Sequence, residues 1–149
     1  MNANEAAAAL ADVGRTEERL AQRARWPFRR HAMFGLAEGL MVAAVAQPVG
    51  IAGGMMAAGL ALLAMCIAED RRRHGMFVSG WQAGATRPLT MVLGAFLAAM
   101  LAASLAVRDG VSAQPLGYLI GVIVFAVCTA ASLRWEKIHR AALGREAGQ

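Results

Sequence analysis

The stretch that decides the fold is residues 32–68, AMFGLAEGLMVAAVAQPVGIAGGMMAAGLALLAMCIA, which contains a single charged side chain, Glu38. Two further runs, 89–107 and 110–133, carry no charge at all. A helix needs about 20 mostly apolar residues to cross the ~30 Å hydrocarbon core of a bilayer. The three runs therefore predict an all-α integral membrane protein, in agreement with a hydrophobic content of 58% and a mean hydropathy of +0.46.

The first run is too long for one crossing, because a continuous helix over residues 32–68 would measure roughly 55 Å. Gln47-Pro48-Val49-Gly50 supplies the break, since proline lacks a backbone donor and glycine permits turn conformations. We therefore expect a four-helix bundle in the membrane domain, residues 27–134. Its four transmembrane helices are predicted at about 32–46, 49–68, 89–107 and 116–133, with a cytoplasmic loop at 69–88 and a cytoplasmic tail at 135–149.

The segment before the first span, residues 1–26, has a narrow apolar stripe among charged side chains. Leu10, Val13, Leu20 and Ala24 recur at helical spacing. We expect an amphipathic helix here that lies on the membrane surface; the alternative is a solvated tail.

Orientation follows from the basic residues, because Lys and Arg accumulate in cytoplasmic segments. With the N-terminus in the cytoplasm, 14 of the 15 Lys and Arg residues fall on the inner side, and only Arg108 falls outside. This distribution predicts a multi-pass protein of a bacterial inner (plasma) membrane with both termini cytoplasmic. Although the net charge is +5, the basic residues flank apolar runs, which favours contact with anionic phospholipids over binding of nucleic acid.

The inner loop concentrates this charge. Arg71, Arg72, Arg73 and Arg87 are candidate contacts for an anionic lipid headgroup or another phosphate. The alternative is that they act only as a topology signal.

Glu38 is the candidate functional residue inside the membrane, where insertion of a carboxylate costs at least about 2.5–3.5 kcal/mol. Thr129 is predicted at a similar depth, so the pair forms a candidate proton or cation site. The alternative is a neutral carboxyl hydrogen-bonded to Thr129 or to backbone groups freed near the glycines. Four spans with a glutamate in the first resemble the small multidrug resistance transporters in outline. The resemblance ends there, because this chain is longer, its charge asymmetry favours one topology, and residues 34–40 carry no motif of that family.

Small residues four apart let membrane helices approach closely. Within the predicted spans three glycine pairs have this spacing: Gly35/Gly39, Gly50/Gly54 and Gly117/Gly121. They predict either packing within the bundle or a dimer face.

Catalytic, metal and cofactor motifs are missing from the sequence. Cys66 and Cys128 form no ligand pattern, and Asp70/His74 and Glu136/His139 have helical ligand spacing but fall at the wet ends of spans. We therefore predict a non-enzymatic structural or interaction component that self-associates or packs against a membrane-protein partner. The alternative is a proton-coupled small-solute transporter that uses Glu38.

Overall fold

The computed structural model describes residues 26–74, 84–110 and 113–146. Four helices account for the regular structure of these residues: α1 (Phe28–Ala44), α2 (Val49–His74), α3 (Arg87–Val107) and α4 (Ala113–Glu146). The all-α class predicted from the sequence is confirmed for this part of the chain. The amphipathic helix predicted for residues 1–26 lies outside the described residues, apart from Trp26.

Three of the helices are long and apolar enough to cross a membrane: Val49–Arg72 within α2, Arg87–Val107, and Ala113–Ala142 within α4. The fourth, α1, has 17 residues and measures roughly 25 Å. It lies at the centre, because it packs along both α2 and α4 and also touches α3. The described part of the chain is thus all-helical, with three helices of membrane-spanning length and composition around a shorter central one, and this supports the predicted membrane protein.

Two helices run further than their apolar stretches. α2 continues beyond the predicted end at residue 68 to His74, and α4 continues beyond residue 133 to Glu146. The starts of the predicted loop 69–88 and tail 135–149 are therefore helical. Arginine, lysine and glutamate residues favour this extension, since they are good helix formers. One pair, Glu136 and Arg140, also has the i,i+4 spacing with 3.9 Å between charged atoms.

The core lies where α1, α3 and α4 meet. Val42, Val124 and Cys128 are buried there, and partly buried side chains pack around them: Leu93, Phe96, Leu97, Met100 and Ile120. Ser104, which is fully buried, donates a hydrogen bond of 2.8 Å to the carbonyl oxygen of Val42 and so ties α3 to α1. α2 and α3 make at most marginal contact with each other, which leaves a cleft between them.

Candidate functional site

Glycines bring the backbones of α1 and α4 into direct contact. A Cβ added to Gly39 would lie 2.7 Å from the carbonyl oxygen of Gly121, and one added to Gly121 would lie 2.9 Å from that of Gly39. A Cβ added to Gly35 would lie 3.0 Å from the backbone nitrogen of Thr129, and one added to Gly117 would lie 2.7 Å from Cβ of Ala46. Four of the six glycines predicted to pack helices thus lie in this one interface, and they leave no space for side chains.

The other two, Gly50 and Gly54, have nothing within 4 Å of an added Cβ. They begin a row of exposed small residues along α2, which we term the small-residue seam: Gly50, Gly54, Ala57, Ala61, Ala64 and Ala68. The spacing of four and three residues in alternation keeps the row on one side of the helix. That side lies opposite Gly59, where an added Cβ would be 2.9 Å from the carbonyl oxygen of Ala37 in α1.

A buried histidine ties α1 to α4 at the end of the bundle where the basic residues collect, which we call the basic end. His31 is fully buried, with Nδ1 2.8 Å from Oγ of Ser132 and Nε2 2.8 Å from Oε2 of Glu136. A neutral imidazole donates to the carboxylate and accepts from the hydroxyl, whereas a protonated one donates to both. In either form both ring nitrogens are satisfied without water.

The two residues before His31 tie α1 to α2. Arg30 donates to both carboxylate oxygens of Asp70, and the Nε to Oδ1 distance is 2.9 Å. Arg29 reaches Glu69 with bonds of 3.0 and 3.1 Å. The first pair is much more buried, with 17% and 7% of the side chains exposed against 65% and 24% in the second. We call this set of residues the polar clamp: Arg29, Arg30, His31, Glu69, Asp70, Ser132 and Glu136.

Aromatic rings extend the polar clamp outward. The ring centroids of Trp26 and Trp135 are 5.7 Å apart, and His139 stacks on Trp135 at 4.9 Å. The Arg30 guanidinium lies 4.5 Å above the Trp26 ring. Arg30 therefore has a cation–π contact with Trp26 in addition to its hydrogen bonds to Asp70.

The chain of contacts Ser132–His31–Glu136 contains the residue types of a serine hydrolase, but the backbone around it does not suit that chemistry. Ser132 lies in the interior of α4, where amide N–H groups are bonded within the helix. Hydrolases of this kind hold the developing oxyanion with free, preorganised donors. His31 is also fully buried and so cannot reach a substrate. These contacts therefore support a structural role, in which His31 holds α1 against α4. The described residues contain no group of three or more His, Cys, Asp or Glu side chains that could hold a metal ion.

Glu38 and Thr129 are not joined by a hydrogen bond. Oγ1 of Thr129 is buried against Gly35 and has no partner within the described part of the chain. Glu38 is half-buried on α1, and it makes no hydrogen bond or ion pair with any described residue. The hydrogen-bonded carboxyl considered from the sequence is therefore not formed with Thr129.

The arginines of the predicted lipid contact differ from those of the polar clamp. Arg71, Arg72 and Arg87 are exposed and have no hydrogen bond or ion pair with a described residue, whereas Arg29 and Arg30 are both paired. The side chain of Arg73 lies outside the described residues.

Near these arginines the cleft between α2 and α3 contains a cavity of about 200 Å³, which we call the lateral groove. All four helices line it. The lining residues are Arg30, Phe34, Leu63, Cys66, Ile67, Asp70, Leu89, Thr90, Leu93, Ala131, Ser132 and Trp135.

The sequence analysis missed the polar clamp, because its contacts join residues 40 to 105 positions apart. One signal was available: acidic residues stand within three positions of the ends of two apolar runs, at Glu69, Asp70 and Glu136. These positions have about the same predicted depth as the arginines that precede the first run.

Comparisons with family models, with curated proteins and with solved structures give no match to this chain.

Proposed function

We propose that this protein is a non-enzymatic membrane component that associates with a second copy of itself through the small-residue seam on α2. One observation carries the proposal: the seam is exposed along the whole apolar part of α2. The other two glycine pairs, Gly35/Gly39 and Gly117/Gly121, are already buried in the interface between α1 and α4. Lipid tails are as apolar as leucine, so membrane helices associate where small residues allow close backbone approach.

The spacing of the seam also specifies the geometry of the proposed dimer. Small residues that repeat every three and four positions stay in register along a left-handed pair of helices that cross at about 20°. A two-fold axis along the membrane normal would place the two copies of α2 side by side in the same direction.

For the location we propose a bacterial inner membrane, with α1 as a fourth crossing and both termini in the cytoplasm. The support is the distribution of charge, since 14 of the 15 Lys and Arg residues would then face the cytoplasm. Alkaline phosphatase and green fluorescent protein fusions at each terminus test this. Export of either terminus would reject the orientation.

Disulfide crosslinking in membranes tests the dimer. In a chain with Cys66→Ala and Cys128→Ala, we expect single cysteines at Ala57, Ala61 or Ala64 to give a dimer upon oxidation, because the seam brings equivalent residues together. A cysteine at Ala58 is the matched control, since it is exposed on the same helix but lies about 100° around the axis from Ala57. The parent without cysteines gives the background.

The same interface predicts the effect of added bulk. Ala61→Leu is expected to lower the dimer fraction of labelled protein in vesicles at least about tenfold, because interfaces of small residues do not accept larger ones, whereas Ala58→Leu leaves it unchanged. Crosslinking that is equal at seam and control positions, or a dimer fraction insensitive to Ala61→Leu, would reject this function.

The alternative function, a proton-coupled transporter, is favoured by the lack of a hydrogen-bonded or ionic partner for Glu38 among the described residues. The replacement Glu38→Gln separates the two. If the protein is a structural component, we expect the variant to fold and to dimerise as the parent does, with proton fluxes through vesicles identical to those of protein-free vesicles for both chains. A proton flux that the parent shows and the folded variant lacks would establish the alternative.

A further inference from the structure

We propose that the lateral groove binds one acyl chain of an anionic phospholipid, whose headgroup is held at the basic end by Arg71 and Arg87. The site is distinct from the small-residue seam, because the groove-facing side of α2 carries Leu63, Cys66 and Asp70 and the seam lies on the opposite side.

The groove is amphipathic along its length. Its polar groups lie toward the basic end: Arg30, Asp70, Thr90 and Ser132. Leu63 lies about two turns before Asp70 on α2, and Leu93 lies about one turn after Thr90 on α3, so both are nearer the middle of the bundle. A membrane lipid has the same order of polar and apolar parts along the bilayer normal. The groove also lies between two helices that scarcely touch, so a chain can enter sideways from the bilayer.

The size of the groove fits part of one chain. A volume of about 200 Å³ holds roughly seven methylene groups, if each occupies the ~30 Å³ that a water molecule takes up in the liquid. This is the upper part of one acyl chain and is too small for two chains side by side. The remaining hydrocarbon would extend into the bilayer.

The charges at the mouth of the groove select an anionic headgroup. Arg30 is neutralised by Asp70 inside the groove, so the residues that line the groove contribute little net charge to lipid binding. Arg71 lies one helical turn beyond the groove residue Ile67 on α2, and Arg87 begins α3 just before Leu89 and Thr90. Both arginines are exposed without a partner among the described residues, which leaves their guanidinium groups available to phosphate oxygens.

Native mass spectrometry of the protein tests this, after reconstitution into vesicles of equal parts phosphatidylglycerol and phosphatidylcholine and gentle release into detergent. We expect one retained phospholipid per subunit, enriched in phosphatidylglycerol. The double replacement Arg71→Gln/Arg87→Gln should reduce that enrichment by about fivefold for each arginine removed. Arg108→Gln, the same change at an exposed arginine beyond the other end of α3, should leave it unchanged.

Two variants that fill the groove provide the steric test. Ala131→Leu on the α4 wall and Leu63→Phe on the α2 wall are both expected to abolish the retained lipid. Ala130→Leu, on the neighbouring exposed residue of α4, is expected to retain it, and circular dichroism verifies that each variant is folded. No retained lipid on the parent, equal retention of the two lipids, or retention by either folded groove-filling variant would overturn the proposal. These variants leave the residues of the small-residue seam unchanged. The experiments can therefore reject the dimer without rejecting the lipid site, and they can reject the lipid site without rejecting the dimer.

Discussion

Replacing Gly39 with alanine is expected to lower the free energy of unfolding by about 1–3 kcal/mol, the usual cost of overpacking a tight interior. The added methyl group would lie 2.7 Å from the carbonyl oxygen of Gly121 and 3.2 Å from Cβ of Phe125. Neither a backbone oxygen nor a Cβ atom moves without shifting its helix, so α1 and α4 must separate. Gly39→Leu is expected to prevent assembly of the bundle altogether.

The matched control is Gly94→Ala on α3, where an added Cβ meets nothing within 4 Å. Alanine is better than glycine inside a helix by roughly 0.5–1 kcal/mol, so this variant should be neutral or more stable. The two changes are therefore expected to have opposite signs, as measured by unfolding of the purified protein with sodium dodecyl sulfate in mixed micelles under circular dichroism. Equal effects would mean that α1 and α4 do not approach as closely as described.

The sequence alone predicted the helical class and the positions of the helices, because charge-free runs of this length admit few other structures. It did not distinguish between the three glycine pairs. Gly39, Gly54 and Gly121 have the same local pattern, and what separates them is which helix lies opposite. That information resides in contacts between distant segments, and the structure places Gly39 and Gly121 in a helix interface but leaves Gly54 exposed.

The basic residues show the same limitation. Arg29, Arg30 and Arg71 are equivalent as topology signals, since each follows or precedes an apolar run. The structure divides them: Arg29 and Arg30 are paired with α2, and Arg71 is not paired with any described residue. A charge count fixes a predicted orientation, but the partner of each charge depends on helix rotation, which small changes in packing determine.

The second large effect is expected at Asp70. Replacement by asparagine removes the carboxylate that holds Arg30, whose side chain is only 17% exposed, and a partly buried guanidinium then lacks its counter-ion. Breaking one side of a buried ion pair typically costs about 3–5 kcal/mol. We expect Asp70→Asn to lose stability toward the lower end of this range in the same unfolding assay, because Trp26 still shields part of the charge.

Glu69→Gln is the natural control, because the neighbouring acid makes the same kind of contact to Arg29 at the surface. Its pair is 24% and 65% exposed, and exposed ion pairs contribute about 0–1 kcal/mol. If Asp70→Asn and Glu69→Gln lowered the free energy of unfolding by the same amount, the buried pair of the polar clamp would not be a special source of stability.

A double replacement then separates the value of the ion pair from the cost of breaking it. Arg30→Met together with Asp70→Leu keeps similar side-chain volumes in the lateral groove but removes both charges. Buried ion pairs replaced by apolar residues of similar size are often neutral or up to about 1–4 kcal/mol more stable, so the double variant should recover most of the stability lost in Asp70→Asn. If instead it is as unstable as the single variant, the bidentate contact itself stabilises the bundle, and α1 depends on that bond for its central position. Recovery would mean that the apolar contacts and the glycine interface with α4 hold α1, while the pair fixes how α1 is rotated against α2.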